Sequence, residues 1–208
     1  MTEEKQIQVF LQELSSKQPT PGGGGASAFA GALGAALGQM VANLTVGKKK
    51  YAQVEGQMQE YLLRMNQLMR EFAVLADKDE EVFAPLAQCY RLPSSTEEEC
   101  RRKAEQMEQR LLAASLVPME IMEKALEMLT FLEELADKGS VMAVSDVGVG
   151  VQFIRTALNG AVMNVYINTK SMQDRETAGR LNEEAERMVL EGSRRADAIY
   201  EKVLEKLR

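Results

Sequence analysis

Apolar residues recur at helical spacing along almost the whole chain, and strand-like alternation is nearly absent. The pattern predicts a short first helix over residues 3–15, with Ile7, Phe10, Leu11 and Leu14 on one face. Residues 16–25 read as a loop, because Pro19 and Pro21 stop helix on either side of Thr20. A second helix is predicted over 26–45 and a third over 54–90, whose stripe is Met58, Leu62, Met65, Leu68, Met69, Phe72 and Leu75. Leu92-Pro93-Ser94-Ser95 breaks it. Thr96 then supplies an N-cap, and Glu97, Glu98 and Glu99 an acidic first turn, for a fourth helix reaching about Asp137. Pro118 inside that helix is expected to kink or split it. Lys138-Gly139-Ser140 is a helix stop. A fifth helix over 141–170 and a heavily charged sixth over 175–207 complete an all-α chain, read as one domain over residues 1–208 of five to seven helices.

The second helix differs from the others. Ala26, Ala28, Ala30, Gly31, Ala32, Gly34, Ala35, Ala36 and Gly38 make it small and apolar on every side. Such a helix is expected to be buried on all sides, at the centre of the bundle. Four glycines, residues 22–25, stand before it, and Gly47-Lys48-Lys49-Lys50-Tyr51 follows it.

Composition narrows the chemistry. The 208 residues carry a net charge of −6, which argues against a broad nucleic-acid surface. Histidine is absent, so His-based triads and HExxH zinc sites are excluded, and acid–base work falls to Asp, Glu, Lys, Tyr or Cys. Cys89 and Cys100 fit neither a disulfide scaffold nor a metal finger, so no metal ligands are assigned. No N-terminal apolar run resembles a signal peptide, and the thiols suit a reducing compartment, so a cytoplasmic protein is expected. The apolar stretch 26–46 carries Gln39 and Asn43, and reads as a buried helix rather than a membrane span.

Five places can carry chemistry. The glycines Gly22, Gly23, Gly24 and Gly25 let backbone N–H groups approach an anion at a helix N-terminus; a packing turn is the equal alternative. Lys48, Lys49 and Lys50 are an anion site or a solvated helix end, and Tyr51 stacks on a flat ring or caps the core. Asp77, Asp79, Glu80 and Glu81 form an acidic knot, a surface cluster or a source of a general acid–base whose pKa burial would raise. Ser145 and Asp146 lie among small apolar residues, as a helix cap or as a functional pair. Asn164 and Asn168 share a helix face, bonding between helices or contacting a heteroaromatic ligand.

Three separated motifs resemble one family. PGGGGASAFAGALGAALGQMVANLTVGKKKY is similar to the N-terminal signature of the formimidoyltetrahydrofolate cyclodeaminases and the related bacterial methenyltetrahydrofolate cyclohydrolases. LADKDEEVFAPLAQCYRLP resembles the second motif of that family, and KGSVMAVSDVGVGVQFIRTALNGAVMNVYINTKSM the third. Val82 departs from the pattern, standing where many members carry Ala. A chain of this length has no room for the fused formiminotransferase domain.

The resemblance implies an all-helical enzyme acting on a one-carbon tetrahydrofolate. One reaction closes 5-formiminotetrahydrofolate to 5,10-methenyltetrahydrofolate with loss of ammonia; the alternative interconverts the 5,10-methenyl and 10-formyl forms. No cofactor is implied beyond the folate substrate, which is expected to be polyglutamylated. Asp77 or Asp79 would shuttle the proton, with Asp77 preferred. Asp146 with Ser145 would bind the pterin edge or the cationic bridge. Lys48, Lys49 and Lys50 would hold the glutamate tail, while Gly22, Gly23, Gly24, Tyr51, Asn164 and Asn168 complete the pocket. A homodimer is expected, with no nucleic-acid or membrane partner. A non-catalytic helical dimerisation scaffold is the rival reading.

Overall fold

The structure is a computed structural model that describes residues 7–208; residues 3–6 of the expected first helix lie outside the described residues. Six α-helices run in order: α1 (Ile7–Leu14), α2 (Gly23–Asn43), α3 (Glu55–Cys89), α4 (Glu97–Lys138), α5 (Val144–Ser171) and α6 (Arg175–Leu207). Short 3₁₀ turns at Lys49–Val54 and Val141–Ala143 precede α3 and α5. The described residues contain no strand.

The helix starts follow their local chemistry. Thr96 accepts the Glu99 N–H at 3.2 Å and Glu99 accepts the Thr96 N–H at 3.1 Å, a reciprocal cap for the orphan donors of α4. Asp174 accepts the Thr177 N–H at 3.0 Å and starts α6. Pro118 does not split α4, which is continuous around it. A proline has no N–H to give the carbonyl four residues back, that of Ala114. Asn168 of α5 donates its side-chain amide to that carbonyl instead, at 2.9 Å. The vacated acceptor is thus satisfied from a neighbouring helix, which is one way a buried proline is tolerated.

α2 packs between α3 and α5, and α4 closes the bundle against α3 and α5. Phe72, Met65 and Leu68 of α3 meet Ile121, Met122 and Leu129 of α4 and Ile154 and Leu158 of α5 in one buried core. α2 and α5 are antiparallel: Gly23 faces Asn164 at one end, and Gly34 faces Gly150 and Ile154 near the middle. Arg64 ties α3 to α4 through Glu127, at 2.5 Å, and also pairs with Glu71 at 3.0 Å.

Two expectations for α2 are corrected. It begins at Gly23, not residue 26, so three of the four glycines form its first turn and Gly22 is the N-cap. It is also not buried on all sides. Leu33, Met40 and Leu44 leave 41, 39 and 42% of their surfaces exposed, along one outward stripe at helical spacing. α2 and the segment Val141–Ser171 are each long and apolar enough to cross a membrane, and half of each apolar window is buried inside the bundle. The helix ends at Asn43, and Gly47, at φ 76°, turns the chain in a left-handed conformation that glycine adopts without steric cost.

Candidate active site

Asp79 stands on the inner face of α3, against the first turn of α2. Its Oδ2 accepts the Gly25 N–H at 3.0 Å. A Cβ at Gly24 would collide with the same carboxylate, so glycine at this position is what allows the acid to reach the helix end. The anion held by the glycine turn is therefore the chain's own side chain.

Two effects act on that carboxylate in opposite directions. Burial disfavours its charged form and is the largest influence; the Gly25 N–H favours the charge, and the neighbouring Glu80 charge opposes it. Burial wins, and the pKa rises from 3.8 to about 6. A carboxyl group with this pKa exchanges a proton near neutral pH, which an ordinary surface aspartate does poorly.

Asp79 opens into a cavity of about 140 Å³. That volume takes roughly one six-membered ring. Pro19, Thr20, Gly22 and Gly23 form its rim from the α1–α2 turn and the start of α2; Val82 and Phe83 come from α3, Ala114 from α4, and Asn164, Ile167 and Asn168 from α5. Asn164 spends an amide N–H on the Gly160 carbonyl at 3.0 Å, and Asn168 spends one on Ala114. The sequence candidates Gly22, Gly23, Gly24, Asp79, Asn164 and Asn168 thus converge on one place.

The other candidates lie elsewhere. Asp77 precedes Asp79 by two residues, about 200° round the helix, and does not line the cavity. Lys48, Lys49 and Lys50 are exposed beyond the opposite end of α2, roughly 30 Å from its glycine end. Tyr51 joins them: its hydroxyl accepts the Val141 N–H at 3.1 Å, and Lys50 Nζ lies 5.3 Å from its ring. That backbone donor is the main cause of a lowered Tyr51 pKa, with burial opposing it. Asp146 is the third residue of α5, where a helix N-terminus favours an acid, and Ser145 beside it is exposed. Because α5 runs antiparallel to α2, this pair belongs to the lysine end. Within one chain, the lysines and the Ser145–Asp146 pair do not share a pocket with Asp79.

The family described as "Formiminotransferase-cyclodeaminase" matches residues 6–187. The chain belongs to the formiminotransferase-cyclodeaminase family. Within that family it is 38% identical to the "Methenyltetrahydrofolate cyclohydrolase" of Methylorubrum extorquens, over 97% of both chains. It is 32% identical to the "Formimidoyltransferase-cyclodeaminase" of Gallus gallus, covering 97% of this chain but 37% of that longer one. The fold matches the crystal structure of the formiminotetrahydrofolate cyclodeaminase of Thermotoga maritima with a TM-score of 0.83, at 27% identity, over 100% of this chain and 98% of that one. These members carry enzyme names, and a half-buried titratable carboxylate in a cavity fits them better than it fits a scaffold.

Several lining residues escaped the sequence reading. Phe83 and Ile167 follow Asp79 and Asn164 at helical spacings of four and three, so the wheel places them on the same faces. Val82, seen only as a departure from the family pattern, lies three residues after Asp79. Asp79 itself falls four residues after buried Leu75 and seven before buried Leu86, on the apolar stripe that Asp77 misses. Pro19, Thr20 and Ala114 have no such local signal; only the packing of α4 and of the α1–α2 turn brings them in.

Proposed function

We propose that this chain is a tetrahydrofolate one-carbon enzyme that closes 5-formiminotetrahydrofolate to 5,10-methenyltetrahydrofolate and releases ammonia, with Asp79 as its acid–base. The supporting observation is a carboxylate of pKa about 6, facing a ring-sized cavity, in a chain whose family match covers residues 6–187. The proton accounting is simple. N10 attacks the formimino carbon, forming a tetrahedral centre bonded to N5, N10 and the amine. Asp79 takes the N10 proton and delivers it to the amine. The carbon–amine bond breaks, ammonia leaves, and the N5 lone pair closes the methenyl bridge. No electron carrier enters this balance.

A second reading is favoured by the likeness to the Methylorubrum extorquens cyclohydrolase over nearly all of both chains. Here water adds to the methenyl carbon and Asp79 accepts one of its protons; the carbon–N5 bond then opens as the remaining hydroxyl proton passes to N5, leaving the 10-formyl form. Both reactions cross a tetrahedral carbon between N5 and N10, so one carboxylate serves either. Absorbance of the methenyl chromophore, followed in parallel from the formimino and methenyl substrates, separates them. No change from either substrate refutes both.

We further propose a homodimer, built on the outward apolar stripe of α2. A two-fold axis near the middle of that helix sets the lysine end of one copy beside the glycine end of the other. Lys48, Lys49 and Lys50 would then hold the glutamate tail of a folate whose head lies in the neighbouring cavity, with Tyr51 and the Ser145–Asp146 pair nearby. Free Cys89 and Cys100 support a cytoplasmic setting. Equilibrium sedimentation of Met40→Glu tests the dimer: the variant is expected to be monomeric, and a dimer that survives the charge contradicts this interface.

A further inference from the structure

Polar groups facing the cavity are unevenly matched to a ligand. Among the described residues that line it, none is lysine or arginine. Three of them are Asp79, Asn164 and Asn168. The orientation of each asparagine is decided by its partner: a backbone carbonyl can only accept, so the nitrogen of the amide must face it. Among the described residues, none donates a hydrogen bond to the Oδ1 atom of either side chain. Two amide oxygens and the second oxygen of the Asp79 carboxylate, whose Oδ2 is taken by the Gly25 N–H, therefore offer acceptors in a space of about 140 Å³.

Asn168 owes its pose to a residue far away in sequence. Its amide nitrogen occupies the Ala114 carbonyl, which in an unbroken helix would bond the N–H of residue 118. Residue 118 is proline, buried and inside α4. The ring removes the competitor and turns the carbonyl into an anchor for another helix.

We propose that this cavity selects a cationic nitrogen head that brings its own N–H donors, with Asn164 and Asn168 accepting from it and Pro118 acting as the positioning residue for Asn168. The inference rests on the folate reading above and sharpens it: the formimino group, an amidinium ending in NH₂, fits the acceptors, whereas a formyl oxygen of the same shape brings them no N–H. Specificity of this kind arises when buried acceptors go unpaired with the wrong ligand.

The test compares two ligands that differ only at that group, 5-formimino- and 5-formyl-10-deazatetrahydrofolate, in which carbon replaces N10 and cyclisation is blocked. Calorimetric titration of the full chain at neutral pH is expected to show the formimino ligand binding tighter by about tenfold or more, as for a hydrogen bond to a charged group. Asn168→Leu is expected to bring the two affinities together. Pro118→Ala restores an N–H to the Ala114 carbonyl in a residue that favours helix, and is expected to narrow the ratio without loss of helical circular dichroism; it also keeps the test available where Asn168→Leu does not fold. Equal affinities in the unaltered chain, or a ratio that either folded variant leaves unmoved, overturn the proposal while the folate reading stands. Absence of binding by both ligands overturns the folate reading, and this inference with it.

Discussion

The two ends of α2 carry the two most anion-friendly signals in the chain, and the fold treats them in opposite ways. At the glycine end, the N–H of Gly25 and the space above Gly24 are taken by Asp79, a half-buried acid from α3. At the lysine end, Lys48, Lys49 and Lys50 remain exposed, with the Tyr51 ring close to Lys50. A helix N-terminus stabilises a carboxylate by roughly 0.3–1 kcal/mol, while burial acts the other way and here is larger. The closed end therefore gains a proton-exchanging group. The open end keeps its three lysines exposed to solvent. Anion-binding features in a sequence do not tell whether the anion is a ligand or a side chain; burial of the partner decides it.

The contrast can be broken most sharply at Asp79. Asp79→Asn keeps an acceptor for the Gly25 N–H but cannot carry the proton, and turnover is expected to fall by about 10²–10⁴-fold in a methenyl absorbance assay. Asp77→Asn, about 200° round α3 and outside the cavity lining, is expected to stay within about threefold of the unaltered rate.

A smaller loss is expected from Gly24→Ala. Alanine gains up to about 1 kcal/mol of helix propensity, but its methyl group meets the Asp79 carboxylate, and overpacking costs about 1–3 kcal/mol. Thermal melting should show a net destabilisation, with activity lowered as the carboxylate is pushed from Gly25. A gain in melting temperature with full activity would remove Gly24 from the site.

Stability against pH gives the next signal. Because the folded pKa of Asp79 is raised from 3.8 to about 6, the native state holds the proton more tightly than the unfolded chain between those values. Stability from this group is present below pH 4 and lost as pH rises through 6, an effect on the order of 2–3 kcal/mol before allowance for its partial exposure. Chemical denaturation of Asp79→Asn should therefore show a flatter curve between pH 4 and 6 than the unaltered chain.

The smallest effect belongs to the open end. Replacing Lys48, Lys49 and Lys50 together by alanine is expected to raise KM for a polyglutamylated folate by a few-fold, in a salt-dependent way, and to leave kcat alone; exposed pairs contribute about 0.2–1 kcal/mol each. An equal effect on the monoglutamate substrate would show that the lysines do not hold the tail.

Much of this was legible from residue order. Helical periodicity foretold the helices, and the Thr96 cap with Glu99 was readable as it stands. The separation of the two ends was also present in the count of residues, since a helix of 21 residues spans about 30 Å. Asp79 is told from Asp77 by its place on the Leu75–Leu86 stripe, a matter of helical phase that the charge of four acids within five residues does not show. Other features were not legible. That the helix starts within the glycine run goes with Asp79 arriving from α3 to take the Gly25 N–H. That Pro118 leaves α4 whole depends on Asn168 of α5 taking the freed carbonyl. Both are agreements between distant segments, and no local pattern encodes them.

The central claim is that Asp79, held at the glycine end and not at the surface, titrates during the reaction. The pH dependence of kcat/KM for methenyl formation tests it most directly. The unaltered chain and Asp77→Asn are expected to lose activity as pH falls through about 6, and the residual activity of Asp79→Asn is expected to show no such bend. A bend near 6 that persists in Asp79→Asn, or one that vanishes in Asp77→Asn, would contradict the assignment.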